Sequence, residues 1–285
     1  MVGGENVTTY QVASKEAVSN NYRGTWVYEY DDNGNIISIR DGTGTNAKAI
    51  TYVYDSANQL VRENNPYADT TWVWTYDDAG NITSKKQYNY TTGTLVSPVQ
   101  IIPYSYGDSS WGDLLTSYDG NELVYDESGN LISDGTRTYS WTNGRQLTSV
   151  KKDTTTWLYT YDANGMCTSR KTQGGIVNTY TYDGTQLSAM STFMYDLYFT
   201  YDGTGTPVTV SQNGTTYYYV TILQGDVIAI LDGTGTKVVE YAYDAWGNTI
   251  LTVDNSRTNL AAVNPLRYRG YIYDGPTGCY YLQRY

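Results

Sequence analysis

The amino-acid sequence predicts an all-β protein built from repeated antiparallel hairpins. Three observations carry this prediction: 33 of the 285 residues are tyrosine, 28 are glycine, and a short tyrosine–aspartate unit recurs along most of the chain. Tyrosine favours strands, and glycine favours the tight turns that join them. A hydrophobic fraction of 40% is enough for a packed core, which separates this chain from disordered acidic tails.

The repeat unit reads aromatic-x-Tyr-Asp-x-x-Gly-Asn-aliphatic. Eleven of the 22 aspartates directly follow a tyrosine, far more often than chance placement would give. The best copies are Tyr30, Asp31 and Gly34; Tyr76, Asp77 and Gly80; Tyr125, Asp126 and Gly129; and Tyr243, Asp244 and Gly247. Weaker copies begin at Tyr54, at Tyr161 (with Asp162 and Gly165), at Tyr182, at Tyr201 and at Tyr273 (with Asp274).

Each unit has the chemistry of a β-hairpin with a short bulged loop. Side chains alternate along a strand, so the two aromatic residues of a unit share one face. The aspartate can accept a hydrogen bond from the backbone two residues on, and the glycine can adopt a positive φ. Because a single hairpin is marginally stable, the tyrosine faces of successive hairpins should pack together in one twisted, spiralling sheet.

The repeat pattern also suggests a division of the chain. Residues 1–22 read as a polar leader or a broken first repeat, and residues 23–253 read as the repeat sheet. Within that sheet, residues 84–112 contain two prolines and are expected to form an irregular insertion. Residues 254–265 should form a short helix that Ser256 caps, at the start of a distinct segment spanning residues 254–285.

Composition excludes several functional classes. The chain has no histidine, which removes Ser-His-Asp and Cys-His catalytic systems and any His-containing metal site. Its net charge of −11, without a run of Lys or Arg, argues against nucleic acid or an anionic membrane as a partner. Residues 1–5 do not resemble a signal peptide, and no apolar run approaches the roughly 20 residues of a membrane-spanning helix.

With these motifs in view, the chain resembles the YD-repeat proteins, which include bacterial Rhs proteins, wall-associated repeat proteins, toxin-complex subunits and teneurins. The most specific segments are 264–274 and 277–285, which are similar to the start of the Rhs-associated core, together with 224–228 and 241–247. The resemblance implies a hollow β-shell that often encloses a toxic C-terminal domain. In that family, aspartates in Asp-Pro motifs beyond this point carry self-cleavage, and neither those motifs nor a toxin domain is expected in this chain.

Candidate binding residues are few. The segments beginning at Asp41, Asp202 and Asp232 read Asp-Gly-Thr-Gly-Thr and are expected to form tight turns rather than calcium loops, which use a different ligand order. Cys167 and Cys279 are expected to be small buried residues, although one disulfide between them is also compatible with the sequence. Aromatic rings could stack on sugars, and the candidates for such a surface are Trp72, Trp74, Tyr217, Tyr218 and Tyr219.

Together these observations predict a non-enzymatic structural module of a secreted or surface-located bacterial Rhs/YD-repeat protein, with no cofactor and no metal. Its expected partners are further YD repeats and a C-terminal toxin domain of the parent polypeptide. Two alternatives remain: a carbohydrate- or cell-wall-binding adhesin segment, and the remnant of a self-processing toxin. The terminal hairpins, near Tyr28 and Tyr271, are expected to have open edges through which the isolated chain self-associates.

Overall fold

The predicted all-β fold of antiparallel hairpins is confirmed by the computed structural model, which describes residues 11–42 and 47–281. Within each sheet that the described residues form, strands pair with their neighbours in chain order, without crossovers. Three sequence segments discussed above lie partly outside the described residues: the predicted leader, the turn that follows Asp41, and the end of the core-like motif at residues 282–285.

The described strands form two large sheets and one small hairpin, rather than one continuous sheet. The first sheet has ten strands: β1 (Ser14–Val18), β2 (Arg23–Tyr30), β3 (Ile36–Asp41), β4 (Ala49–Tyr54), β5 (Leu60–Asn65), β6 (Thr70–Tyr76), β7 (Ile82–Asn89), β8 (Gln100–Tyr106), β9 (Leu115–Tyr118) and β10 (Asn121–Glu122).

The second sheet has fourteen strands within the same residues. They are β11 (Val124–Tyr125), β12 (Leu131–Ser133), β13 (Arg137–Thr142), β14 (Gln146–Lys152), β15 (Thr155–Tyr161), β16 (Cys167–Thr172), β17 (Val177–Asp183), β18 (Gln186–Ser191), β19 (Asp196–Tyr201), β20 (Pro207–Gln212), β21 (Thr215–Thr221), β22 (Val227–Leu231), β23 (Lys237–Tyr243) and β24 (Thr249–Asp254). The small hairpin consists of β25 (Ile272–Asp274) and β26 (Cys279–Tyr281).

The two large sheets separate at Leu123. The strands on either side of it, β10 and β11, have two residues each, and the Leu123 amide donates to the Thr116 carbonyl, which continues the pairing of β10 with β9. The segment expected to be an insertion, residues 84–112, contributes most of β7 and all of β8, which pair with each other. Its irregular parts are the loops on either side of β8, and Pro103 lies inside β8 opposite Ser84.

The Tyr-Asp units form bulged hairpins. The strand register shifts at the repeat tyrosine in the hairpins of Tyr30, Tyr76, Tyr161 and Tyr243. The repeat glycines that follow have positive φ angles, for example 86° at Gly34 and 86° at Gly247. This conformation favours glycine because a Cβ atom crowds the backbone there.

The helix expected from residue 254 onward is shorter than the sequence pattern suggests. Within residues 254–265 the helix is limited to α1 (Leu260–Val263), and its N-cap residue is Asn259, whose φ is 58°. A 3₁₀ turn follows at Tyr268–Gly270. Ser256 does not occupy the N-cap position; its hydroxyl accepts from the amide of Leu260, while Asp254 accepts from the amide of Ala261. Positive φ angles at Arg257 and Asn259 interrupt the helical backbone between residues 256 and 260. The prediction that Ser256 caps this helix is therefore wrong.

The largest apolar core lies on one face of the second sheet. It joins Leu187, Leu197 and Val210 of the strands to Leu260 of α1 and Leu266 of the segment that follows. A second cluster joins Trp26, Tyr28 and Ile39 of the first sheet to Val220 and Ala229 of the second. Strands from opposite ends of the chain are therefore packed together.

Candidate functional site: the repeat loops and the junction between the sheets

In eight of the repeat-type loops, the aspartate closes its own loop. Asp31 Oδ1 accepts from the amides of Asn33 and Asn35, at 3.0 and 2.8 Å, and the Asn35 side chain donates to Asp31 Oδ2 at 2.9 Å. These bonds, first that of the Asn35 side chain and then those of the loop amides, lower the pKa of the Asp31 carboxyl. The same pair of amide bonds forms at Asp55, Asp77, Asp126, Asp162, Asp202, Asp232 and Asp244.

The repeat tyrosines join each hairpin to the one before it. The hydroxyl of Tyr243 donates to the Val227 carbonyl at 2.7 Å, and that of Tyr76 donates to the Leu60 carbonyl at 2.7 Å. Both acceptors open the second strand of the preceding hairpin. The bond recurs at Tyr54, Tyr106, Tyr125, Tyr161 and Tyr201, and the Trp141 indole makes it at Leu131. Tyrosine is needed here because phenylalanine would lack the donor.

Two members of this series, Tyr106 and Trp141, do not belong to the Tyr-Asp units found in the sequence. Their signal is the aromatic-x-aromatic spacing, in Tyr104 with Tyr106 and in Tyr139 with Trp141. A search for that spacing alone would have found both, since the aspartate is dispensable for the contact with the previous hairpin.

Removing one of these tyrosine hydroxyls should lower the free energy of unfolding by a measurable amount. Changing Tyr243 to Phe should lower the free energy of unfolding by about 1 kcal/mol, because the ring remains while a buried hydrogen bond is lost. Tyr218→Phe is the matched control, since its ring is 46% exposed; we expect a change within about 0.5 kcal/mol. Equal destabilisation of both variants in denaturant titrations would contradict the role of the Tyr243 hydroxyl.

The two sheets meet at a buried polar contact, which we call the junction: Glu63, Asn65, Trp74 and Lys85 of the first sheet, with Asp244, Ala245 and Trp246 from the loop between β23 and β24. Lys85 Nζ lies 2.8 Å from Asp244 Oδ2, and both side chains are almost completely buried. The Ala245 amide donates to Glu63 Oε2 at 2.6 Å, and the side chain of Asn65 donates to the Tyr243 carbonyl at 3.2 Å. These contacts link residues at least 159 positions apart.

A second set of contacts lies at the start of the first sheet. The Tyr28 hydroxyl accepts from the Leu223 amide at 2.8 Å, and Lys15 Nζ donates to Thr221 and Ile222. Tyr28 is buried beneath loops of the second sheet, so its ring is not an exposed aromatic surface. Tyr271 is exposed, and self-association through the sheet edges stays a prediction.

Most of the candidate sugar-binding rings are not available to a ligand. Trp72, Trp74 and Tyr217 are buried. Trp72 covers the Lys85 ammonium, whose nitrogen lies 4.1 Å from the ring centroid, and Trp74 packs edge-on against Trp246. The prediction that these three rings form a sugar-binding surface is therefore wrong, because they pack in the interior.

The two remaining rings of that set, Tyr219 and Tyr218, differ in environment. Tyr219 is half-buried and donates to the side chain of Asn264 at 2.6 Å, whereas Tyr218 is exposed. A single ring offers no extended stacking surface.

Two cavities accompany these contacts. One, of about 340 Å³, lies between the sheets and is lined by Trp26, Tyr52, Asp226, Glu240 and Tyr268, among others. The other, of about 260 Å³, lies under the C-terminal hairpin and has mainly aromatic walls, including Tyr139, Trp141, Tyr159, Tyr180 and Tyr281.

Asp274 fastens the C-terminal hairpin to the second sheet. Its carboxylate forms an ion pair with Arg170 and accepts from the Tyr159 hydroxyl at 2.8 Å. Cys167 and Cys279 are free thiols that line the same cavity, and Cys167 is buried as expected whereas Cys279 is exposed. Burial raises the pKa of Cys167 to about 12, so this thiol is unreactive near neutral pH.

The part of the chain that the structure describes has no candidate cluster of metal ligands and no candidate membrane-spanning helix. Within it, no three Cys, Asp or Glu side chains gather as a metal site would require. No helix among these residues is long and apolar enough to cross a bilayer. The segments at Asp202 and Asp232 form hairpin loops of the same kind as the repeats.

This architecture is that of a known family. The family model described as teneurin YD-shell matches residues 18–285, and the chain belongs to that family. Its YD-shell, Rhs-type character follows from the same match and from the structural similarities below.

Curated relatives share part of this chain. The tRNA3(Ser)-specific nuclease WapA of Bacillus spizizenii (strain DSM 15029) is 38% identical over 175 residues, which are 59% of this chain and 7% of the relative. The tRNA nuclease WapA of Bacillus subtilis (strain 168) is 37% identical over the same share of each chain. The present chain thus corresponds to a small part of these relatives.

Solved structures share the fold at low sequence identity. The TcdB2-TccC3 structure has a TM-score of 0.66 and 19% identity, and the alignment covers 90% of this chain and 15% of that one. A Photorhabdus luminescens Tc holotoxin pore structure has a TM-score of 0.65 and 18% identity, covering 91% of this chain and 15% of that one. Both similarities support the YD-shell fold.

Proposed function

We propose that this chain is a non-enzymatic structural module of a longer bacterial Rhs-type polypeptide, and that it forms part of a shell that encloses or presents a C-terminal toxin domain. The observation that carries the proposal is the use of the repeat side chains. The aspartates close their own loops, and the tyrosine hydroxyls bond the preceding hairpin. Side chains engaged in this way build a wall and are not free for chemistry.

The size relationship with the relatives supports the same function. The WapA proteins are named as tRNA nucleases, and the region similar to this chain is 7% of their length. A repeat module of this size fits a supporting role beside a separate catalytic domain. We also infer that the parent polypeptide is secreted or displayed at the bacterial surface. Its other YD repeats would be the module's main partners.

A test of this function uses the purified chain and the parent polypeptide. We expect the chain alone to leave tRNA and polysaccharide substrates intact and to release no fragment of itself on incubation. In the parent polypeptide, limited trypsin treatment should spare the domain that follows this module until the shell is denatured.

Two results would contradict the proposal. One is tRNA or glycan cleavage by the chain alone that survives further purification. The other is digestion of the following domain at the same rate in the folded and denatured parent protein, because a shell that encloses or shields cargo must slow its proteolysis.

A further inference from the structure

The junction holds two carboxylates and one ammonium in a buried site. Glu63 has no exposed surface, and the exposed fractions of the Lys85 and Asp244 side chains are 7% and 2%. The Lys85 ammonium forms an ion pair with Asp244, with Nζ 2.8 Å from Oδ2. With all three groups ionised, the cluster would carry one uncompensated negative charge, on Glu63.

A buried charge without a counter-ion is costly, and such a group usually takes up a proton instead. Burial, above all, together with the negative charge of Asp244 raises the pKa of Glu63 to about 7. Hydrogen bonds from Asn65 and the Ala245 amide, and the charge of Lys85, oppose this shift without cancelling it. Protonation of Glu63 leaves a neutral cluster around the ion pair.

We propose that the junction is a proton-sensitive latch, in which a proton on Glu63 tightens the contact between the first sheet and the loop between β23 and β24, and its loss loosens that contact. The latch goes beyond the structural role proposed above, because it makes the closure of the two sheets responsive to pH. Its position matters: the loop amide of Ala245 donates directly to Glu63, so the titrating group is part of the contact itself.

The tyrosines beside Glu63 do not compete with it for a proton near neutral pH. Burial raises the pKa of Tyr52 well above its ordinary value, and it also raises that of Tyr54, so both stay uncharged. One further carboxyl, Asp226, also has a raised pKa because it is buried, and it is held by the Arg269 amide on a neighbouring loop. The charged or titratable groups that face Glu63 are Tyr52 and Tyr54 from β4, Lys85 from β7 and Asp244 from the loop. Further groups face these neighbours rather than Glu63 itself: Tyr104, Tyr118, Asp226 and Tyr268.

The direction of the effect follows from the raised pKa. The stabilisation is fully present below the ordinary glutamate pKa of about 4.3 and is lost as the pH rises through about 7. The loop carboxyls of Asp31 and Asp77 behave in the opposite way, since their lowered pKa values make protonation unfavourable. Their effect is confined to acid, below about pH 4, so it is separable from that of Glu63.

The test combines a direct titration with variants. Carboxyl-carbon NMR of the whole chain should show Glu63 titrating near pH 7. The Tm of the wild-type chain should fall by roughly 5–10 °C between about pH 5 and about pH 8. In Glu63→Gln, a neutral mimic of the protonated state, this fall should largely disappear; in the matched control Glu122→Gln it should remain.

Asp226→Asn tests whether the other buried carboxyl causes the fall in Tm, and most of that fall should remain in this variant. The latch is overturned if Glu63 titrates in the ordinary range of an exposed glutamate, or if Glu63→Gln keeps the wild-type fall in Tm. The titration needs no variant, so the first outcome decides the question even if Glu63→Gln fails to fold.

Discussion

Replacing Lys85 by Met should lower the free energy of unfolding by about 3–5 kcal/mol, which is the usual cost of breaking a buried ion pair by removing one partner. The variant leaves Asp244 buried without its cation, beside Glu63, so that two carboxyls share a site with no positive charge. The Lys85 ammonium also lies over the Trp72 ring, and that contact is lost as well. Denaturant titration at neutral pH measures the difference.

Lys86→Met is the control for this experiment. Lys86 is the next residue in β7, its side chain is on the opposite face of the strand, and no hydrogen bond or ion pair of its side chain occurs in the described part of the chain. We expect a change within about 0.5 kcal/mol for this variant. If both substitutions have the same small effect, the junction does not hold the two sheets together.

Replacing Gly247 by Ala should destabilise the chain by about 2–5 kcal/mol, because two independent costs combine. The φ of Gly247 is 86°, where a Cβ atom is strained, and that atom would lie 2.6 Å from the ring of Tyr268. Tyr268 cannot move easily, since its hydroxyl donates to the Ala245 carbonyl. Thermal or denaturant unfolding measures the loss.

Gly214→Ala separates the two costs of this substitution. Gly214 has the same φ of 86°, but nothing lies within 4 Å of the Cβ that alanine would add. This variant should therefore show the backbone strain alone, about 1 kcal/mol. A Gly247→Ala variant as stable as Gly214→Ala would show that Tyr268 does not pack against the loop.

The local part of this architecture could be predicted from the sequence, because it depends on neighbouring residues. The turn chemistry of Asp31 and Gly34 acts over four positions, and the alternation of tyrosines sets which side chains share a strand face. Both are short-range effects that a single repeat displays. Nine copies of one unit then predict a sheet of hairpins.

The junction could not be predicted, because it depends on contacts across most of the chain. Glu63 and Lys85 look like ordinary polar residues of exposed strands, and nothing near them in sequence indicates burial. Trp72 and Trp74 read as a sugar-binding surface for the same reason: a period of two shows which rings share a face, but not what covers that face. Trp74 packs against Trp246, more than 170 positions away.

Hydrogen exchange at two loop amides tests most directly whether the two sheets form one wall. The Ala245 amide donates to the buried Glu63 of the first sheet, whereas Ala163 occupies the same position in the Asp162 loop, which no strand of the first sheet contacts through a hydrogen bond within the described residues. The account predicts that Ala245 exchanges far more slowly than Ala163 in the native chain near about pH 6, where Glu63 is largely protonated. Equal, rapid exchange at both positions would contradict it.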